Sequence, residues 1–250
     1  MREIPGRIHR AVVESVTDLV PGLRRLVLGG PGLADFESTG VGDEYLRVFL
    51  PDDASGEPRL PHPVGQGWDW AEGVTPAPLR TYTVRDWDPV GHRLTIDVVL
   101  HEGGVAAEWA RRATVDSVVG VNSPTGMYDA PAGLEWQLLV TDLTGLPAAT
   151  RLLQQSDPRV HSRLVVEVPG AEQRFGEEIP SAVELRWVHG GNGVAPSRIE
   201  QLVRSAERPE GVGYVWVVGE ARVLRAVRGY LRHELGLPAG HVRAQRLSVP

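Results

Sequence analysis

Lysine and cysteine are both absent from the 250 residues of this chain, and methionine occurs only twice. Without cysteine there are no disulfides, no thiolate nucleophile and no cysteine-ligated iron–sulfur cluster, so redox chemistry here would need a bound organic cofactor. Without lysine there is no Schiff-base chemistry, and all 26 basic residues are arginine, so every cationic side-chain contact is a guanidinium contact or a protonated histidine. No apolar run is long enough to span a bilayer, and the opening MREIPGRIHRAVVESV has none of secretory-signal length, so the expectation is a cytoplasmic protein that does not insert into membranes. The formal charge of -6 argues against nucleic acid as a partner, which would require clustered basic residues. What remains is an ordinary soluble composition, 42% hydrophobic and 23% charged, in a length that suits one large domain or two modest ones.

The rhythm along the chain favours two. From residue 8 to residue 121 short β-like runs alternate with Gly, Pro and Asp: HRAVVESV, LRRLVLGG, EYLRVFLP, LRTYTVRD, RLTIDVVL and SVVGVNSP. About six such strands predict a small antiparallel barrel or sandwich. Residues 51–78, rich in Pro and Gly and carrying Trp68 and Trp70, read as a long loop or lid. GVAAEWARRA (residues 104–113) reads as a short helix. After Pro131 strands and helices follow one another: LEWQLLVTD, LPAATRLLQQ, SRLVVEV, VELRWVH, APSRIEQLVRSAE, GYVWVVG and ARVLRAVRGYLRHELG. That succession predicts an open, mostly parallel α/β sheet. The expected domains are residues 1–131 and 132–250.

Within this frame RTYTVR (residues 80–85) pairs a bidentate anion donor, Arg80, with an aromatic surface two residues on, Tyr82. Period two puts Arg80, Tyr82 and Val84 on one face and Thr81, Thr83 and Arg85 on the other. DVVLHEGGVAAEWA ends a strand at His101, passes through two glycines and opens a helix whose first amides, at Val105 to Ala107, are suited to an anion. VTDLTGLPAATRLL has the strand–turn–helix layout that places ligands at the carboxyl edge of an α/β sheet, with Asp142 and Thr144 in the turn. A helix cap is the plainer role for Asp142. In HGGNGVAPSRIEQLV a second glycine-rich turn precedes Ser197 and Arg198, which are placed to reach a 2'-phosphate.

Taken in order, RTYTVR, DVVLH with GG and AAEWA, NSPTGMY, VTDLTGLPA and VWVVGEA with LRAVRGYLRHELGL resemble the siderophore-interacting proteins, flavin-dependent ferric-siderophore reductases of the ferredoxin reductase superfamily. The resemblance covers nearly the whole chain. It implies an N-terminal FAD-binding β-barrel and a C-terminal α/β domain that takes NADPH or NADH as electron donor. It implies reduction of Fe(III) in a ferric siderophore, with release of Fe(II). The FAD wall it implies comprises Arg80, Tyr82, Thr83, Val84, Asp97, Val99, His101, Val105, Ala106, Ala107, Trp109 and Ser123, although Trp109 also suits a core anchor. Thr144, Gly219 and Glu220 would meet the cofactors from the second domain, and Thr83, Asp142 and Thr144 would lie nearest the chemistry. Arg47 and Arg246 would draw in the anionic siderophore, and no metal site is implied in the protein itself. A monomer is expected, with a dimer as the alternative.

The chain departs from the family pattern at two places. Leu143 and Gly145 stand where the family carries glutamate and alanine, and HVRAQRLSVP replaces an aromatic C-terminal segment. Two alternatives therefore stay open: another flavin-dependent or non-redox step in small-molecule biosynthesis, or a module that binds a planar anionic ligand.

Overall fold

A computed structural model describes residues 6–51, 56–65, 67–191 and 196–245. The chain divides into two compact units between Met127 and Tyr128, a few residues before the expected division in DAPAG.

In the N-terminal unit, β1 (Ile8–Val20), β2 (Leu23–Gly29), β3 (Tyr45–Phe49), β6 (Leu79–Thr83), β7 (Asp86–Asp88), β8 (Arg93–Val99) and β9 (Val118–Asn122) form one sheet of order β6-β3-β9-β1-β2-β8-β7. Every pairing in it is antiparallel. The sheet curls until its ends meet, where the Arg85 amide donates to the Thr95 carbonyl at 2.9 Å. Alternation dictates the interior: Ala11 and Val13, Leu26 and Leu28, Leu46 and Val48, Leu94, Ile96 and Val98, and Val119 and Val121 all join one buried cluster. Helix α1 (Val105–Arg112) adds Ala106, Trp109 and Ala110 to that cluster, so the amphipathic helix covers an opening of the barrel.

Two expectations change here. The main sheet has seven strands rather than about six, because the three-residue β7 is too short to show alternation in the sequence. Residues 51–78 are not wholly irregular: β4 (His62–Val64) and β5 (Gly67–Asp69) make a hairpin. Trp68 and Trp70 meet Phe49 edge-on at 5.6 and 6.2 Å, anchoring the segment to β3.

The C-terminal unit holds a parallel sheet of order β12-β11-β10-β13-β14, from β10 (Trp136–Asp142), β11 (His161–Val168), β12 (Glu184–His189), β13 (Gly213–Val218) and β14 (Val242–Gln245). Trp136, Leu138 and Val140 of β10 pack with residues of α3 (Ile199–Ser205) and α4 (Ala221–Gly229) in one cluster. The intervening Gln137, Leu139 and Thr141 are buried as well, which explains the near-continuous apolar runs of β10 and β13. Helix α2 (Leu146–Gln155) connects β10 to β11. The last predicted helix ends as an α-helix at Gly229 and continues as a π-turn through Glu234, and β14 was too short to read from sequence. Among the described residues no helix is long and apolar enough to cross a membrane, and no group of three or more potential ligands could hold a metal ion.

A buried ion pair ties β2 to β8 inside the barrel unit. Arg25 of β2 lies directly across from Asp97 of β8 and grips its carboxylate through Nε and Nη2 at 2.7 and 2.8 Å, with the Asp97 side chain only 4% exposed. Removing one member strands the other away from water. We expect Asp97→Ala to cost about 3 kcal/mol, read as a lower urea midpoint for the N-terminal unit; an unchanged midpoint would show that the pair contributes nothing net.

Candidate functional site

Strand register decides what the residues of RTYTVR face. Leu46 and Val48 of β3 point into the barrel and pair with Tyr82 and Arg80 of β6, so the Arg80–Tyr82–Val84 face is the interior one. Val84 lies wholly in the core, which removes its side chain from any ligand-binding role. Tyr82 is partly buried and packs against the same apolar cluster, so much of its ring is committed to the barrel rather than to a ligand. Burial pushes its phenol up to about 12 while the Arg80 charge opposes, so it remains a neutral donor. The Arg80 guanidinium, near the beginning of the strand, donates to the neighbouring Leu79 carbonyl at 2.8 Å and has no carboxylate partner among the described residues.

The opposite face collects a set that spacing within one strand could not show. Thr83 pairs with Tyr45 and Thr81 with Arg47, while the Arg47 guanidinium sits 5.4 Å from the Tyr45 ring centroid. Thr83 is 5% exposed, and its hydroxyl is buried with no hydrogen-bond partner among the described residues. A buried hydroxyl left unsatisfied costs about 1–3 kcal/mol unless something external completes it. Tyr45 was missed because its place beside Thr83 depends on the register between β3 and β6.

After β8 the chain reaches His101, which is exposed, and turns through Gly103 at φ 71 into α1. A side chain at Gly104 would fall on the His101 imidazole, whose Nδ1 lies 3.1 Å from the Glu102 carbonyl. No side chain caps α1, so the amides of Val105, Ala106 and Ala107 open the helix without an intrahelical acceptor. Three other expected contacts are otherwise employed. Asp97 is held by Arg25. Trp109 is a core anchor, 8% exposed. The Ser123 hydroxyl accepts the Arg7 amide at 3.1 Å. Val99 is half-buried at the end of β8. The unit thus offers an unpaired buried hydroxyl, a guanidinium without an anion and an open helix terminus, a donor set that fits an anionic ligand with a hydrogen-bonding ring.

In the C-terminal unit the sheet order reverses between β10 and β13, the switch point at which open α/β sheets bind ligands. Asp142 ends β10 and accepts the Thr144 amide at 2.8 Å and its hydroxyl at 2.5 Å, fixing the turn into α2. Gly145 sits against the end of β13: a side chain there would overlap the Thr141 hydroxyl and meet the Val218 Cβ at 2.7 Å. Here the alanine of the family pattern does not fit without a shift, and Leu143, in the place of the family's glutamate, is buried at 5% exposure. Gly219 follows β13, and an added Cβ would meet Ile199 at 2.9 Å; Glu220 is the exposed N-cap of α4. One residue at this edge was not anticipated. Glu167 of β11 lies directly beside Asp142, is 3% exposed, and accepts the Ser197 hydroxyl at 2.7 Å and the Arg198 amide at 2.5 Å. The Ser197 hydroxyl is therefore engaged by a carboxylate instead of being offered to a phosphate. Its sequence signal is a lone acid near the end of the apolar run LVVEV. Arg246, and residues 192–195 of the glycine-rich turn, lie outside the described residues.

Comparison with known proteins covers both units. Residues 12–128 match the family described as the siderophore-interacting FAD-binding domain, and residues 134–246 match the siderophore-interacting protein family. An NADPH-dependent ferric-chelate reductase of Escherichia coli is 31% identical over 225 residues, covering 88% of this chain and 84% of the relative. The crystal structure of a siderophore utilization protein from T. fusca superposes with a TM-score of 0.86 at 28% identity, covering 98% of this chain and 94% of that one. The ferredoxin reductase of carbazole 1,9a-dioxygenase shares the fold, with a TM-score of 0.70 at 14% identity over 99% of this chain and 71% of that one.

Burial and the neighbouring Glu167 charge raise the Asp142 pKa above its ordinary 3.8, with burial the larger cause and hydrogen bonds from Thr144 and Gly145 opposing. A carboxyl group with a raised folded pKa contributes stability below the unfolded value and loses it as pH rises through the folded one. As pH rises from the ordinary carboxylate range towards neutrality, we expect the wild type to lose stability relative to Asp142→Asn. Denaturant midpoints across that range test this, and parallel profiles for the two proteins would overturn it.

Proposed function

Because the chain belongs to the siderophore-interacting protein family, we propose that it is a flavin-dependent NAD(P)H oxidoreductase that reduces Fe(III) in a ferric siderophore. Its N-terminal unit is an FAD-binding domain by family. The observation that carries the reading is the buried, unpartnered Thr83 hydroxyl on a strand that also supplies Arg80, a guanidinium without a carboxylate partner among the described residues. FAD offers what those groups lack: a diphosphate for Arg80 and the α1 amides, and a ring edge with donors and acceptors for Thr83. When bound, the flavin accepts a hydride equivalent from reduced nicotinamide dinucleotide and passes electrons singly to iron.

The residues of this chain bind, orient and exclude water. Arg80 and the first amides of α1 would hold the diphosphate, with the exposed His101 alongside, and Thr83 would fix the ring by one hydrogen bond. Tyr45 and Arg47 extend the same face, and Arg47 attracts an anionic ferric chelate. Thr144, Gly219 and Glu220 border the switch point of the parallel sheet, where the nicotinamide dinucleotide is read to bind. No general acid or base is required. Hard oxygen donors hold Fe(II) less tightly than Fe(III), so reduction alone loosens the iron.

Anaerobic titration of the FAD-loaded protein tests this directly. NADPH or NADH should bleach the flavin, and an added ferric siderophore should restore its colour. A yellow protein that neither nucleotide bleaches overturns the reading, whereas bleaching without reoxidation by any ferric complex moves the acceptor away from iron. Arg80→Ala should weaken FAD binding by about 10- to 100-fold, the worth of charge-assisted hydrogen bonds. Thr83→Val should weaken FAD retention while leaving the apoprotein at least as stable, since it removes an unsatisfied buried hydroxyl. Fluorescence titration and thermal unfolding read the two effects; a destabilised apoprotein would mean the hydroxyl serves the fold.

A further inference from the structure

At the carboxyl edge of the C-terminal sheet, three basic side chains gather around the ends of β11 and β12. Arg174, in the connection that follows β11, donates from Nη2 to Nε2 of His189, the last residue of β12, at 2.9 Å. Arg198 approaches the residue after His189 with its stem: a Cβ added at Gly190 would lie 3.4 Å from the Arg198 Cγ. Arg174, His189 and Arg198 are all exposed, and neither arginine has a carboxylate partner among the described residues. Beside Arg174, the Gln173 side-chain oxygen is buried with no partner among the described residues, an acceptor left for an outside donor such as an adenine amino group.

In a sheet of this order the adenosine half of a dinucleotide lies over the strands on the β11 side of the switch point. Its ribose is then read in one of two ways: an acid bonds a free 2'-hydroxyl, or an arginine takes a 2'-phosphate. Glu167 occupies the position of such an acid, but it is 3% exposed, and its two oxygens are taken by the Ser197 hydroxyl and the Arg198 amide. It works from beneath. By binding the Arg198 amide it fixes the backbone from which the exposed guanidinium projects. A chain without lysine has only arginine for a strong phosphate contact at neutral pH.

We propose that Arg174 and Arg198, with His189 between them, form a 2'-phosphate site that selects NADPH over NADH. This rests on the reading of the C-terminal unit as the nicotinamide-dinucleotide half. Glu167 is the positioning residue that holds Arg198 in place.

Isothermal titration of the full chain with adenosine 2',5'-bisphosphate and with 5'-AMP tests the site apart from flavin turnover. The wild type should prefer the bisphosphate at least tenfold. Arg174→Ala and Arg198→Ala should each reduce that preference by about tenfold, as expected for one lost charge-assisted contact. Glu167→Gln should reduce it less, because the amide oxygen can still accept the Arg198 amide. Equal affinity for the two nucleotides, a preference for 5'-AMP, or full retention of the preference in both arginine variants would overturn the assignment. A wild type that shows the preference while NADPH fails to bleach its flavin would leave this site standing and remove the oxidoreductase reading instead.

Discussion

Closing an antiparallel sheet on itself obliges every strand to give alternate side chains to one shared interior, and the candidate site of the N-terminal unit follows from that obligation. Along β6 and just past its end the interior takes much of Tyr82 and all of Val84, which leaves the opposite face to Thr83. The hydroxyl of Thr83 is buried beside β3 with no hydrogen-bond partner among the described residues. A fold that closes its barrel through Arg85 and Thr95 and still leaves this group unsatisfied is prepared for something from outside. The same geometry uses α1 twice, since Ala106, Trp109 and Ala110 fill the barrel while the first amides of the helix have no intrahelical acceptor.

The C-terminal unit follows a different constraint. A parallel sheet covered on both faces has polar freedom only at its strand ends, so charge accumulates at the carboxyl edge. Asp142 and Glu167 lie side by side there, and the fold handles them differently. Asp142 accepts the donors of its own turn and carries a raised pKa, whereas Glu167 accepts donors from a distant loop and binds that loop down. Two acids that look alike in the sequence thus become a local turn device and a long-range pin. The close approach of Gly145 to Val218 likewise shows why a side chain at that turn must be minimal.

Much of this was legible beforehand. Two-residue alternation in HRAVVESV and RLTIDVVL, followed by apolar runs spaced by helical stretches, is sufficient for an antiparallel unit and a parallel one, because burial on one face or on both leaves different periods. Short pieces were not legible: β7 and β14 span three and four residues, too few for any period to show. Of the expected residues, Thr83 keeps an unbonded hydroxyl and Arg80 a guanidinium without a carboxylate partner among the described residues, whereas Val84, Asp97 and Trp109 serve the core or an ion pair, since identity in a motif does not say which face a neighbouring strand will cover.

By itself the sequence determined the chemical vocabulary: no thiol, no lysine amine, arginine as the anion donor, and a glycine-opened helix a few residues after a strand. It also determined the two-part plan, because hydrophobic periodicity is local. Only the tertiary structure decided which groups are spent on one another. Tyr45 joined Thr83, Arg25 claimed Asp97, and Glu167 captured Ser197 and presented Arg198, all through pairings across tens of residues. The physical reason is that strand register and burial are set by the whole sheet, and a polar side chain becomes available to a ligand only after the fold has taken the partners it needs.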